Sequence, residues 1–99
     1  MPQEWTAILA ELLISLKFDL GIMTDAYDYR LLQYLLSSYE SISRMGATLD
    51  QAEASHRNIV VQYAAWLWRR RDSGEGMPRM VQFEIHNIIF SQKMRGEDG

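Results

Sequence analysis

Pro78-Arg79-Met80-Val81-Gln82-Phe83-Glu84-Ile85-His86-Asn87-Ile88-Ile89-Phe90 is the stretch on which the fold class turns. Val81, Phe83 and Ile85 alternate as a strand would, whereas Val81, Ile85, Ile88 and Ile89 recur at the spacing of one helix face. Length and the proline start decide for a helix over residues 78–94, because Pro78 stands in a first turn where its missing N–H would be unsatisfied anyway. With this segment helical the whole chain reads as all-α, since the three segments before it carry the same period.

Working back, Asp50-Gln51-Ala52-Glu53 has the form of a capping box, an acceptor side chain followed three residues later by Glu. It predicts a helix over residues 51–71, ending in Arg69, Arg70 and Arg71, which suit the negative helix end. A second helix over residues 25–45 has Thr24 or Asp25 as cap, Asp28 in its first turn, and Leu31, Leu32, Leu35, Tyr39 and Ile42 as its stripe. Gly46 is its stop. The first helix, over residues 4–17, carries Trp5, Ile8, Leu9, Leu12, Leu13 and Leu16 on one face, with Gly21 at the following turn. Ser73-Gly74-Glu75-Gly76 is a loop, and residues 96–99 form a frayed tail.

Ninety-nine residues make one domain, 1–99, whose folding hides only about 60–68% of the unfolded chain's surface. Apolar residues at 47% and charged residues at 23% exclude a disordered or collagen-like chain. The net charge of −3 disfavours a general nucleic-acid binder. With no cysteine there is no disulfide framework and no thiol nucleophile. The start, Met1-Pro2-Gln3-Glu4, is acidic where a signal peptide is basic, and the longest apolar stretch is shorter than the roughly 20 residues a membrane span needs. The expectation is a protein that is neither exported nor membrane-bound.

Two helices are apolar on two sides. On the third, Ala52, His56, Ile59, Val60, Tyr63, Trp66 and Leu67 share one side, and Ala54, Val61, Ala65 and Trp68 the other. On the fourth, Val81, Ile85 and Ile88 oppose Phe83, Phe90 and Met94. Such a helix must be covered on both sides. A chain this short centres one helix easily and two with difficulty, so at least one second face is expected to meet another protein. Trp66 belongs with the core and Trp68, about 200° away, with a contact. Charge is uneven as well: residues 1–50 carry a net −4 and residues 51–99 a net +1, which would suit head-to-tail packing of copies.

Little in the chain points to catalysis. His56 lies on an apolar stripe and reads as a hydrogen-bonded core histidine, while His86 has only Glu84 two residues away. Asp19, Asp25 and Asp28 do not have calcium-loop spacing, and there is no HExxH, phosphate loop or Ser–base pair. No cofactor, no metal and no enzymatic activity are expected.

Taken in order, Leu16-Lys17-Phe18-Asp19-Leu20-Gly21-Ile22, Asp28 with Leu31-Leu32, Tyr63-Ala64-Ala65-Trp66-Leu67, and Met77-Pro78-Arg79-Met80 resemble the tailed-bacteriophage head–tail connector family of adaptor and head-completion proteins. The resemblance spans about Leu16 to Phe90 and rests on Leu16, Lys17, Leu20, Gly21, Asp28, Tyr63, Ala64, Trp66, Leu67 and Pro78. It implies a virion protein, made in the host cytoplasm, that forms a ring of about twelve copies beneath the portal. The partners it implies are further copies, the portal protein and a downstream neck or tail-completion protein, with DNA only as passing cargo. On this reading Val61, Ala65 and Trp68 make lateral contacts and Arg69, Arg70 and Arg71 pair with a neighbour's carboxylates. Phe83, Phe90, Met94 and Arg95 then dock on portal or neck. The alternative is a small DNA-binding regulator, with the second and third helices as a helix–turn–helix about Met45–Asp50.

Overall fold

The computed structural model describes residues 1–96, and the expected fraying over residues 96–99 lies outside them for all but Gly96. Five helices follow in order: α1 Gln3–Ala7, α2 Leu9–Leu20, α3 Asp28–Arg44, α4 Ala54–Ser73 and α5 Arg79–Met94. No strand occurs among the described residues, so the all-α expectation holds and the ambiguous stretch beginning at Pro78 is helical. Pro78 itself is extended, at φ −58° and ψ 143°, and its carbonyl accepts the N–H groups of Val81 and Gln82.

The leading segment departs from expectation. It is two helices, broken at Ile8 (φ −103°, ψ 8°), and it runs one turn beyond Lys17. The break seats Trp5, only 2% exposed, against the Tyr39 ring at 5.1 Å. At the far end Gly21 is left-handed, with φ 70°, and Ile22 N–H reaches back to the Lys17 carbonyl at 2.9 Å. This closure satisfies late carbonyls of α2 and needs a residue that tolerates positive φ.

Neither predicted cap forms as drawn. Thr24 Oγ1 accepts from Ala26 N–H, and Asp25 offers its carbonyl to Asp28 N–H, so a short turn delays α3 to Asp28. Asp50 Oδ1 accepts from Ala52 N–H, and Glu53 makes no side-chain cap bond, so α4 begins at Ala54. Asp side chains compete for nearby backbone donors in this way, trading a helix cap for a turn.

Helix α4 is the centre of the molecule. From Ile59 to Trp66 every residue but Gln62 is buried, with α2 and α3 packed on it and α5 alongside. Leu31, Leu35, Ser38 and Ile42 face it from α3, and Leu12 and Leu16 from α2. Ser38 is fully buried because its hydroxyl donates to the Tyr34 carbonyl at 2.6 Å, leaving a small, satisfied side chain in the core. The loop over residues 45–53 is folded in with its own apolar residues, Ala47 and Leu49. The result is flattened, 43 × 30 × 18 Å, with α2, α3 and α4 packed on one another and α5 at the margin.

Candidate interaction surfaces

The end of α4 combines tryptophans with arginines. Trp66 is buried, stands edge-on to Tyr63 at 5.3 Å, and donates its indole N–H to the Glu75 carbonyl at 3.1 Å. Trp68 is half-buried between Tyr27 and Tyr34, at 5.3 and 6.3 Å. The guanidinium of Arg70 lies 4.8 Å from the Trp66 ring centre, and that of Arg71 lies 3.7 Å from Trp68. Planar guanidinium groups stack on indoles while their edges stay available for hydrogen bonds. Arg71 also lies 3.8 Å from Asp72, and Arg69 is exposed. The run expected to pair outward is thus anchored in its own subunit at two of its three positions.

Two other residues expected at a lateral contact are corrected outright. Val61 and Ala65 are each 3% exposed and belong to the core. Because α4 is central, the subunit itself covers the middle of its second apolar face at Val61 and Ala65, while Ala54 at its start is exposed and Trp68 at its end is half-buried. The same burial leaves α4 without the continuous polar face that a DNA-reading helix needs between Ile59 and Trp66.

Helix α5 behaves differently. Val81, Ile85 and Ile88 are buried on α4, while Phe83, Phe90 and Met94 stand 60%, 65% and 71% exposed on the opposite side of α5. Met80 extends that line and Arg95 closes it at the C-terminal end, both exposed. Four large apolar side chains on one face of one helix form an unusual patch for a free subunit. A second patch went unforeseen: Ile14 and Phe18, four residues apart on the outer side of α2, are exposed, Phe18 at 85%. They border a groove of about 440 Å³ between α2 and α4 that Glu11, Arg57 and Asn58 also line. Its signal was the i, i+4 spacing off the main stripe of the first helix.

Three polar side chains, His56, Gln92 and Lys17, tie the fold together. His56 is buried and its Nδ1 accepts the Asp50 N–H at 2.9 Å, the role expected of it. Gln92, which the sequence did not single out, joins α5 to the 45–53 loop. Thr48 N–H donates to its Oε1 at 2.9 Å and its Nε2 donates to the Thr48 carbonyl at 2.7 Å. Lys17 ties the α2–α3 turn through Asp25 at 3.0 Å and Asp28 at 2.8 Å. Asp28 first, then Asp25, hold the Lys17 ammonium above the usual lysine pKa, against a smaller opposing effect of desolvation. Of the three aspartates near this turn, two therefore serve a lysine. Among the described residues no group of three or more His, Asp or Glu is placed to hold a metal ion. No helix among them is long and apolar enough to cross a membrane.

Comparison with protein-family models, curated proteins and solved structures gives no match.

Proposed function

We propose that this chain is a structural assembly subunit of the head–tail connector type, joining a ring of about twelve copies beneath a phage portal. In that role it extends the DNA channel and offers a docking face to neck or tail-completion proteins. The reading rests on the ordered resemblance from Leu16 to Phe90. One structural observation carries it further: Phe83, Phe90 and Met94 stay exposed on a helix whose other side is fully packed. A helical scaffold with a dedicated greasy face, its His56, Gln92 and Lys17 tying loops, suits assembly better than turnover. The net charge of −3 suits a conduit, because a lumen rich in Lys and Arg would hold phosphates through counterion release.

Docking is assigned to the α5 face, and lateral packing to the α2 patch at Ile14 and Phe18 with the arginine edges at the end of α4. Mixing the purified chain with a cognate portal protein, and imaging by electron microscopy, tests the proposal. Added ring density below the portal supports it. Portal rings that stay bare at saturating chain overturn it.

A further inference from the structure

We propose that the outer face of α5 is the seam of a parallel two-stranded coiled coil, closed in the free protein by α5 of a second copy. Met80, Phe83, Asn87, Phe90 and Met94 follow one another at intervals of 3, 4, 3 and 4 residues. That is the a/d alternation of a heptad over two repeats, and all five residues are exposed. The buried residues of α5, Val81, Ile85, Ile88 and Gln92, occupy the other side, so the seam is free along its whole length while α4 holds the helix in shape.

The 3- and 4-residue steps keep these five side chains on one face of α5, so a single helix laid along that face meets all of them. Asn87 identifies which helix. It sits at a central a position, where a side-chain amide facing an apolar layer loses hydrogen bonds and one facing another Asn regains them. In a parallel, in-register pair each Asn87 meets its equivalent. In antiparallel layers, which match a with d, it would face Phe83 or Phe90.

The flanks agree. One edge of the seam carries Arg79, His86 and Lys93, and the other carries Glu84 and Ser91. Parallel pairing sets the g-position Arg79 of each copy beside the e-position Glu84 of the other, whereas antiparallel pairing turns the basic edge against itself. Four side chains of this size, about two-thirds exposed, present on the order of 500 Å² per copy. Two copies together bury about 1,000 Å², the lower limit of a specific interface, so the dimer is expected to be weak and to depend on concentration.

The inference concerns the free protein and stands on the spacing in α5, not on the connector reading. If both hold, docking on the virion exchanges one partner helix for another. Light scattering of the full-length chain at about 50 µM is expected to give twice 11.5 kDa, falling on dilution to about 1 µM. Phe90→Asp is expected to give a monomer with unchanged helical circular dichroism. The chain has no cysteine, so single cysteines report geometry cleanly. Met80→Cys and Asn87→Cys, each oxidised alone, are expected to form covalent dimers, and a mixture of Met80→Cys with Phe90→Cys, an a and a d position that antiparallel layers would match, to form no mixed one.

A single-chain mass at 50 µM overturns the proposal, as does a mass of three or more chains. So does a Phe90→Asp protein that remains dimeric. Cross-linking confined to the Met80→Cys and Phe90→Cys mixture shows antiparallel pairing and overturns it equally. None of these measurements involves the portal, so failure here leaves the connector reading to its own test.

Discussion

Gln92 is 6% exposed, and its amide grips both polar groups of the Thr48 backbone, forty-four residues earlier in the chain. Replacing it by Ala leaves a part-buried N–H and C=O without partners, so Gln92→Ala is expected to cost about 2 kcal/mol in urea unfolding. An unchanged midpoint would show that water takes over the amide's place. Lys17 gives the one pH-dependent prediction. Its pKa is raised by Asp28 and Asp25, so its contribution is complete below the unfolded lysine value of about 10.4 and disappears as pH rises through the higher folded value. Lys17→Met is therefore expected to unfold at lower urea than wild type at pH 7, with the gap closing above about pH 10.5. At this scale legibility followed distance along the chain. His56 was readable because its stripe is local. Gln92 was not, because its partner is the backbone of a remote loop, which leaves no mark on side-chain spacing. Lys17 stood out only as part of an ordered resemblance and Asp28 also as a first-turn acid, and their separation across a turn gave no hint that they pair.

Helices were legible where a stripe repeats over several turns, and less so at their ends. Leu31, Leu35 and Ile42, or Val81, Ile85 and Ile88, were each assigned to the side they occupy. The ends moved by up to three residues, because Thr24 and Asp50 used their oxygens in local turns. The break at Ile8 has neither Pro nor Gly to announce it; a tryptophan seated against Tyr39 accompanies it, a tertiary fact. Gly21 did announce its role. Its φ of 70° is open to glycine and costly for other residues, while the space around it is empty. Gly21→Ala is thus expected to lose about 1 kcal/mol from backbone strain alone, with no clash to add. Gly76 is the control, since it lies in open space without a positive φ. Gly76→Ala is expected to be neutral or stabilising by up to about 1 kcal/mol, through the unfolded chain. Equal losses at both positions in thermal or urea unfolding would mean that conformation is not what selects glycine at the end of α2.

For the molecule as a whole, a surplus of apolar surface was readable, and its division between inside and outside was not. Two helices showed a second greasy face, and spacing alone could not say which one the chain would place at its centre. The three-dimensional packing decides: α4 is surrounded, so Val61 and Ala65 are core, and α5 lies at the margin, so Phe83, Phe90 and Met94 remain outside. A pair of substitutions separates the two faces. Val61→Asp puts a carboxylate at a position only 3% exposed, at a cost of several kcal/mol. A domain this small holds about 5–15 kcal/mol in all, so Val61→Asp is expected to yield a largely unfolded chain. Phe83→Asp changes a site already open to water and is expected to shift unfolding by less than about 0.5 kcal/mol. Trp68 is less informative than either, because Tyr27, Tyr34 and Arg71 hold it within its own subunit and its loss would disturb fold and surface together. If Phe83→Asp kept its unfolding midpoint but lost binding to other chains, the α5 face would be functional surface. If instead it unfolded as readily as Val61→Asp, that helix would be packed from both sides, and nothing would remain for a partner to cover.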